Sequence, residues 1–315
     1  MVYINIDSIN ILLQSYYVNS PLHGSPEPIK EQGHDAVKCI FFKEFNIDLP
    51  CNFSIVMPIH NQESIIRDNL QAIIDFTGGS YEIILIMDSC NDNSSFIVID
   101  FFKNLDLPQN LIRVIICESE EVPLFETICD NIGFRLASGK WFLEIQADMK
   151  MTEMDYNLTL CKPFLKYDNV IAVSGRCSHD LKEETYSGKY GNLIESSISN
   201  LGVSNNNFYV NEACNRGPLL LCAEKTRELG FLDEMNFFLE YSEIDLMLRA
   251  FDKKQWICGY VPIDFESPLY NGTTRKTRDA LNKYIYIIRK NRTTGGFLAT
   301  YHKKGQFRTG YILPL

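Results

Sequence analysis

The chain has 315 residues, 45% of them hydrophobic and 22% charged, enough to bury a sizeable core in one large domain or two small ones. Its net charge of −10 disfavours a nucleic-acid binder that relies on a general positive field. No apolar run approaches the ~20 residues of a membrane span, and residues 1–13 lack the basic cluster of a secretory signal. Ten scattered cysteines without a C-x-x-C pair favour free thiols in a reducing compartment. We therefore expect a cytoplasmic protein with no transmembrane segment and no nucleic-acid partner.

Residues 1–50 are predicted to form a loop-rich N-terminal extension. A short apolar segment, residues 9–17, precedes a stretch rich in proline and glycine, namely Pro21, Gly24, Pro26, Pro28 and Gly33. Two possibilities stay open at this point: a packed extension and an arm that binds a partner.

From residue 53 to residue 145, strand-like apolar runs alternate with helix-like segments. The predicted strands are residues 53–57, 81–87, 111–117 and 141–145, and the predicted helices are residues 64–76, 94–105 and 123–137. Pro58 is expected to end the first strand, and Asn61 to cap the helix after it. Alternation at this spacing predicts a parallel, doubly wound α/β sheet flanked by helices.

The second half of the chain alternates less regularly. Strands are expected over residues 169–174, 217–223 and 256–261, and helices over residues 225–229, 238–251 and 277–290. The polar segment 180–207 is expected to be looped or helical.

Two of the predicted strands end in polar turns that contain carboxylates. Asp88 and Asp92 follow the second strand, and Asp148 follows the fourth. A carboxylate just past the carboxyl end of a central strand sits where open α/β sheets bind ligands. There it can hold a hard divalent cation together with waters and phosphate oxygens. The alternative is that these aspartates cap the turns in which they lie.

Six motifs stand in one order along residues 54–249, and each resembles a motif of the family-two glycosyltransferases of the GT-A fold. In the first half of the chain, residues 54–63 resemble the opening V-I-I-P-x-Y-N-E, and residues 86–92 resemble the nucleotide turn D-D-x-S-x-D. Residues 131–141 resemble the pattern N-x-G-x-x-x-A-x-G, and residues 146–148 stand at the metal-binding D-x-D. In the second half, residues 230–234 resemble the motif G-x-F-D-E, and residues 242–249 resemble the motif E-D-x-D-L-x-x-R. Each motif alone is weak, whereas six in order make the resemblance specific.

The resemblance implies a GT-A domain over residues 51–270, with a Rossmann-like, mostly parallel sheet and a mixed acceptor-side half. Residues 271–315 are left as a C-terminal helix and tail. The implied enzyme is inverting and hexosyltransferase-like. It would move a sugar from a UDP- or GDP-linked donor to a hydroxyl of a carbohydrate, lipid-linked or protein acceptor.

The resemblance also implies a donor site and a metal site. Asp148 is expected to bind Mn²⁺ or Mg²⁺, which offsets the charge of the leaving diphosphate as a Lewis acid. Asp88 is expected to accept hydrogen bonds from the base or ribose. Arg135 is expected either to add positive charge near the diphosphate or to lie on the surface, as equal alternatives. The expected nucleotide-sugar-binding residues are Pro58, Ile59, His60, Glu63, Asp88, Asp92, Asn131, Arg135, Gln146 and Ala147.

The implied catalytic base is Glu243, where family members usually carry aspartate, and Asp245 is the second catalytic candidate. The two lie about 200° apart round a helix, so they cannot face the substrate equally. Glu240 stands three positions before Glu243 and is expected on the same helix face. The expected acceptor-side residues are Asn215, Arg216, Gly217 and Glu240. The alternative reading of the helix carboxylates is a solvated acidic face.

Several positions depart from the family pattern, among them Met87 and Gln146, which replace aspartate, and Ser242, which replaces glutamate. Gln146 cannot supply the missing charge, so weak metal affinity without nucleotide is expected, and a metal-independent variant is an alternative. The departures also support a second hypothesis, a catalytically degenerate GT-A domain that binds a nucleotide sugar or a partner without turnover. A nucleotidyltransferase is disfavoured because the sequence has no Gly-rich phosphate loop near its N-terminus.

Overall fold

The structure is a computed structural model that describes residues 5–19, 37–106, 108–119, 124–175, 204–267 and 310–315, together with Tyr286, Lys290 and Phe297. The predicted polar segment 180–207 lies largely outside the described residues. Most of the predicted C-terminal helix and the proline-rich part of the N-terminal extension also lie outside them. Among the described residues, no helix has the length and apolar composition needed to cross a membrane.

Most strands of the described residues belong to one large sheet. The strands are β1 (Val37–Glu44), β2 (Phe53–Ile59), β3 (Tyr81–Asp88), β4 (Leu111–Ser119), β5 (Trp141–Glu144), β6 (Lys150–Met151), β7 (Val170–Ser174), β8 (Asn207–Asn211), β9 (Leu219–Cys222), β10 (Ile257–Tyr260), β11 (Phe265–Glu266) and β12 (Tyr311–Pro314). Ten of them form a sheet in the order β1-β4-β3-β2-β5-β9-β7-β10-β8-β12, while β6 pairs with β11.

The predicted parallel half of the sheet is confirmed. β2 runs parallel to both β3 and β5, and β3 runs parallel to β4. Beyond β5 the pairing becomes mixed, because β9 is antiparallel to β5 and β7, and β8 is antiparallel to β10 and β12. The structure is therefore an α/β fold with a parallel first half and a mixed second half.

Helices cover both faces of the parallel half. They are α1 (Ile6–Asn19), α2 (Ile66–Phe76), α3 (Ser94–Asn104), α4 (Glu126–Leu136), α5 (Tyr156–Lys166), α6 (Ala223–Glu228) and α7 (Ser242–Lys254). Side chains of β3 alternate between two hydrophobic clusters, with Ile84 in the cluster under α4 and Ile83 in the cluster under α2 and α3. A Cβ on Gly133 of α4 would lie 2.3 Å from Cγ1 of Val56, so glycine lets this helix approach β2 closely.

Strand β2 continues through Pro58, contrary to the expectation that this proline ends it. The carbonyl of Val56 accepts a hydrogen bond from Ile145, on the side of β2 that faces β5. Pro58, two residues further on, faces the same side. Because β5 ends at Glu144, opposite Val56, the missing N–H of Pro58 removes no hydrogen bond from the sheet.

Strands β1, β8 and β12 and helix α5 were not predicted from the sequence pattern. Helix α5 carries Pro163 in its interior, which disguises the helical periodicity. Strand β1 pairs antiparallel with β4 at the edge of the sheet, and Ile9 and Leu13 of α1 are buried in the same core. The described part of the N-terminal extension is therefore packed against the domain.

Candidate functional site

The carboxyl ends of β2, β3 and β5 meet at one edge of the sheet, because these strands are parallel and adjacent. Neighbouring strands lie about 4.8 Å apart. His60 and Glu63 follow β2, Asp88 ends β3, and residues 146–148 follow β5. The polar turns of the sequence thus lie side by side, where open α/β sheets bind their ligands.

The turns after β2 and β3 are tied together by hydrogen bonds in both directions. His60 Nδ1 donates to the carbonyl of Asp88 at 2.6 Å. The backbone N–H of Glu63 donates to Asp92 Oδ2 at 3.1 Å. In return, Glu63 Oε2 accepts from the backbone and side chain of Asn93 at 3.0 and 2.9 Å. These contacts fix the shape of both turns, so a ligand entering between them meets a preformed surface.

Two residues of these turns have left-handed backbone conformations, Asn61 with φ 51° and Ser89 with φ 49°. Such positions cost about 1–3 kcal/mol and concentrate at functional sites. Asn61 Oδ1 accepts from the backbone N–H of Asn91 at 2.9 Å. The expected role of Asn61 as a helix cap is wrong, since α2 begins later, at Ile66. The buried Ser89 Oγ has no hydrogen-bond partner among the described residues.

The Asp88 side chain is buried and accepts two backbone hydrogen bonds, from Leu124 at 2.7 Å and from Phe125 at 3.0 Å. Burial raises the pKa of this carboxyl, while the hydrogen bond from Leu124, the nearby His60 and the hydrogen bond from Phe125 act in the opposite direction. Asp88 therefore joins the end of β3 to the start of α4. Its position agrees with the expected donor edge, but its two oxygens are already engaged by the protein.

The apolar residues expected at the donor site differ in exposure. Pro58 is half-buried, whereas the side chain of Ile59 lies wholly in the core, so only its backbone can reach a ligand. Ala147 is buried, and its carbonyl accepts from Asn69 Nδ2 at 2.8 Å. These contacts hold the turn after β5 against α2.

Residues 146–149 form a tight turn, in which the N–H of Met149 donates to the carbonyl of Gln146 at 3.0 Å. Asp148 is half-buried within this turn. Gln146 Nε2 donates to Glu126 Oε1 at 2.7 Å. Glu126 is the first residue of α4 and follows the backbone groups that Asp88 binds. The Asp88 turn and the Asp148 turn are thus connected through the start of α4.

Arg216 is buried and uses every N–H of its guanidinium within the protein. Nε donates to Glu243 at 3.1 Å. One terminal nitrogen donates to Asp130 at 2.7 Å and lies 3.2 Å from Glu126. The other donates to the hydroxyls of Thr127, at 2.9 Å, and Ser242. These contacts engage the guanidinium within the protein, and the acceptor-side role expected for Arg216 stays a prediction.

Four carboxylates surround this single arginine, since Glu144 also lies close and accepts from the N–H of Gly217 at 3.0 Å. Burial lowers the pKa of Arg216, but the carboxylates outweigh it and hold the pKa well above its usual value. The pKa of Asp130 is raised to about 8, because burial and the nearby Glu126 and Glu243 raise it by more than Arg216 lowers it. Burial likewise raises the pKa of Glu144 well above its ordinary range. Excess negative charge makes protonation favourable here.

Asp130→Asn is expected to gain stability relative to the unchanged protein as the pH rises from 5 to 8. The pKa of Asp130 is about 8 in the folded state and about 4 when unfolded. Between these values the folded state binds more protons, so this residue costs stability as the pH rises. The difference between the two proteins should change by up to about 1.4 kcal/mol per pH unit. Urea unfolding at several pH values measures it.

Asp92→Asn is the matched control, because its pKa is shifted the other way. Burial raises the pKa of Asp92, but hydrogen bonds from Ser94 and Glu63 outweigh burial and leave it below its usual value. Its stabilising effect is present above the unfolded pKa and disappears as the pH falls. Between pH 5 and 8 Asp92 is ionised in both states, so the difference between Asp92→Asn and the unchanged protein should stay constant there, and it should shrink only as the pH falls below about 4. A pH-independent difference for Asp130→Asn would contradict the assigned protonation.

The structure separates the three carboxylates expected near the acceptor. Glu243 is buried near the start of α7 and faces Arg216. Asp245, the second catalytic candidate, faces away from Arg216 and forms an ion pair with Arg249 Nε at 2.6 Å. This contact is structural. Glu240 is not on the helix face of Glu243, because α7 begins only at Ser242, after Tyr241 with φ 73°. Of the three, Glu243 alone is part of the cluster around Arg216.

Two residues expected to bind the nucleotide sugar instead have structural contacts. Asn131 is buried in α4, and both of its amide hydrogens are used, by the carbonyl of Leu232 at 3.0 Å and by Glu234 Oε2 at 2.7 Å. Arg135 lies near the far end of α4, exposed, with its guanidinium carbon 4.4 Å from the ring centre of Phe231. Since α4 runs from the carboxyl edge to the amino edge of the sheet, we remove both residues from the donor site.

The segment Asn215 to Gly217 lies against the turn after β5. Asn215 is buried. Gly217 has φ +51°, and a Cβ there would lie 2.8 Å from Sδ of Met149 and 3.2 Å from Cγ of Gln146. This conformation and this approach both require glycine. The segment expected near the acceptor is thus adjacent to the expected metal turn.

Three residues of this cluster were not predicted from the sequence, Glu126, Asp130 and Glu144. One signal was available: Glu126 and Asp130 lie four positions apart on α4 and therefore share a helix face. Glu144 is an acidic residue within an apolar strand, which is a second signal.

The residues near Gln146 suit a hard divalent cation in chemical type. Among the described residues, no three His, Cys, Asp or Glu side chains are placed to hold a metal ion. Asp148 and the amide oxygen of Gln146 are ligands that Mg²⁺ and Mn²⁺ accept. Glu144 Oε1 is buried without a hydrogen-bond partner within the described residues, which leaves one polar oxygen unsatisfied nearby. The donor set fits a site that phosphate oxygens and waters complete.

Two solved structures have a fold similar to that of this chain. GalNAc-T7, solved with UDP, GalNAc and Mn²⁺, matches with a TM-score of 0.55 and 16% identity, covering 84% of this chain and 56% of that chain. The mannosyltransferase PcManGT from Pyrobaculum calidifontis, solved with GDP-Man and Mn²⁺, matches with a TM-score of 0.53 and 15% identity, covering 88% of this chain and 73% of that one. The fold is the GT-A fold of glycosyltransferases.

Sequence comparison then gives the family. The sequence model of glycosyl transferase family 2 matches residues 54–217, more than half of the chain, so the protein belongs to this family. It is also similar to the glycosyltransferase GlyA of Streptococcus pneumoniae serotype 4, with 28% identity over 130 residues. That region spans 41% of this chain and only 17% of GlyA.

Proposed function

We propose that the protein is an inverting glycosyltransferase that moves a sugar from a UDP- or GDP-linked donor to an acceptor hydroxyl. The observation that carries the proposal is the convergence at one sheet edge of the Asp88 turn, the Asp148 turn and Glu243. Family membership supports the same reaction class.

The donor side of the proposed site is built from the paired turns after β2 and β3. His60, Glu63 and Asp92 hold these turns in one shape through the contacts described above. A preformed crevice of this kind lowers the entropy cost of ordering the nucleotide.

The diphosphate is proposed to lie at the turn of residues 146–149. Asp148 would hold Mn²⁺ or Mg²⁺ there, and a bound cation supplies Lewis-acid stabilisation of the leaving diphosphate. Mn²⁺ is present in the two solved relatives named above. Gln146 orients the turn through its hydrogen bond to Glu126.

Glu243 is proposed as the general base that takes the proton of the acceptor hydroxyl. Arg216 binds Oε2 of Glu243, and within the described residues no hydrogen bond occupies Oε1. A carboxylate fixed through one oxygen can still accept a proton at the other. Attack by the deprotonated hydroxyl, opposite the leaving diphosphate, inverts the anomeric carbon.

A degenerate domain that binds a nucleotide sugar without turnover is the second candidate. One observation favours it, namely that Glu243 is buried and already paired with Arg216. The two candidates differ in whether a nucleotide is released from the donor.

Incubating the full chain with a panel of UDP- and GDP-sugars, with Mn²⁺ and candidate acceptors, tests the proposal. We expect release of nucleotide and a transferred sugar from at least one donor. Asp148→Asn should reduce this release by about 10²-fold or more, because a charged stabiliser of the leaving group is lost. Asp252→Asn, at an exposed acidic residue near the end of α7, is the control and should leave release unchanged. Tight binding of a donor without release would support the degenerate domain instead.

A further inference from the structure

The carboxylate of Asp88 acts on the backbone that enters α4. Its Oδ1 accepts from the N–H of Leu124 at 2.7 Å, and its Oδ2 accepts from the N–H of Phe125 at 3.0 Å. Phe125 directly precedes α4 and has φ 70°, a left-handed conformation that persists only where surrounding contacts hold it. Asp88 is buried and supplies two of these contacts, so it fixes how the chain enters α4.

The first turn of α4 in turn holds the segment that leads into α7. The backbone N–H of Thr127 donates to the carbonyl of Phe238 at 3.1 Å, and its hydroxyl donates to the carbonyl of Phe237 at 2.7 Å. The ring of Phe125 packs against the ring of Phe238, with 5.2 Å between their centres. A shift in the start of α4 would therefore move residues 237 and 238 with it.

Thr127 also contacts the two residues that hold Glu243. Its hydroxyl lies 3.0 Å from the hydroxyl of Ser242, the residue just before Glu243. The same hydroxyl accepts from the guanidinium of Arg216 at 2.9 Å, and Nε of Arg216 donates to Glu243 at 3.1 Å. A continuous set of hydrogen bonds and covalent links therefore joins the carboxylate of Asp88 to that of Glu243.

We propose that Asp88 is a positioning residue for Glu243 and acts through the start of α4 and Thr127. This inference rests on the proposed function, in which Glu243 is the general base. A general base must lie within hydrogen-bond reach of the proton that it takes. A displacement of about 1 Å by a distant substitution can cost about 10²-fold in rate. A nucleotide ligand and a positioning residue differ in the quantity that their loss changes, donor affinity for the first and turnover for the second.

Asp88→Asn in the full chain tests the proposal. The asparagine oxygen can accept from one backbone N–H, but its amide nitrogen then faces the other. We expect kcat at saturating donor to fall by about 10²-fold. The dissociation constants of UDP and GDP, measured by calorimetry, should stay unchanged, because the carbonyl of Asp88 still accepts from His60. Weaker nucleotide binding with kcat retained would overturn this inference and leave the proposed function standing.

A double variant tests whether the effect passes through Glu243. Residues that act as a unit are strongly non-additive, so adding Asp88→Asn to Glu243→Gln should lower the rate little further. A second full loss of about 10²-fold in the double variant would overturn the inference. Thr127→Val removes the connecting hydroxyl and should reproduce the loss of kcat if Asp88→Asn fails to fold. Thr127→Ser, the conservative variant, keeps the hydroxyl and should recover most of that loss.

Hydrogen exchange of the same proteins tests the structural connection without measuring transfer. In Asp88→Asn, backbone amides of residues 237–243 should exchange faster, because the start of α4 no longer holds them. Asp92→Asn is the matched control, since its carboxylate binds the backbone of Glu63 and Ser94 in the same pair of turns. It should leave exchange of residues 237–243 unchanged. Unchanged exchange there in Asp88→Asn would overturn the inference, whereas a folded, unchanged protein that releases no nucleotide would reject only the proposed function.

Discussion

Glu243→Gln is expected to lower the rate of sugar transfer by about 10²–10⁴-fold, the usual contribution of a general base. Glutamine has the same shape as glutamate, and its amide oxygen can still accept the hydrogen bond from Arg216 Nε. It cannot take the proton of an acceptor hydroxyl. Donor binding should change little, because the donor crevice is built from the turns after β2 and β3. Initial rates at saturating donor, together with donor affinity from calorimetry, measure both quantities.

Asp245→Asn provides the matched comparison on the same helix. Asp245 is fully buried against Arg249, whose guanidinium also donates to the carbonyls of Leu229 and Phe231 at 2.7 Å each. Its replacement should lower stability while the rate per folded molecule stays close to that of the unchanged protein. An equal loss of rate in both variants, at equal folding, would contradict the assignment of the base to Glu243. The two carboxylates are only two positions apart but point in different directions from the helix. A difference in rate between the two variants therefore reports the direction of the side chain.

The parallel half of the sheet was predictable because it is buried between two layers of helices. Helices cover both faces of β2, β3 and β4, so these strands are nearly continuous apolar runs, and their polar ends stand out in the sequence. The turns at Asp88 and Asp148 were found for this reason. Edge strands such as β1 carry a weaker signal, since part of each strand is exposed and its sequence alternates irregularly.

The arrangement of the candidate site was less predictable, because it depends on contacts between distant segments. The sequence places Arg216 86 positions after Asp130 and 27 before Glu243, and nothing in a local pattern joins them. Asn131 belongs to a matching motif, yet its amide holds the backbone of Leu232. A motif can therefore mark a structural contact as well as a ligand contact.

The left-handed residue before α7 explains the misplacement of Glu240. Sequence periodicity allowed the helix to begin at residue 238, because apolar residues continue through that region. Tyr241 has φ 73°, a conformation that a helix interior excludes, and the chain enters α7 one residue later. This turn directs Ser242 and Glu243 to Arg216.

Arg216→Met is expected to destabilise the protein by about 3–5 kcal/mol or more, the range found when one partner of a buried charge pair is removed. The variant leaves four carboxylates around a neutral side chain. Arg216→Lys keeps the charge but has three donors in place of five, so it cannot serve Glu243, Asp130, Glu126, Thr127 and Ser242 together. It should fall between the methionine variant and the unchanged protein. Guanidinium-induced unfolding followed by circular dichroism measures the order.

The pH dependence of this loss separates an electrostatic cause from simple loss of packing. Arg216 lowers the raised pKa values of Asp130 and Glu144, so without the guanidinium both should rise further in the folded state, which then binds more protons than the unfolded state. Stability of Arg216→Met should therefore fall as the pH rises, and its deficit should be larger at pH 8 than at pH 5.5. Arg67→Met removes an exposed ion pair with Asp100 and should cost at most about 1 kcal/mol at either pH. A deficit for Arg216→Met that is the same at both pH values would mean that the arginine acts through its shape, and the charge balance assigned to the site would then be wrong.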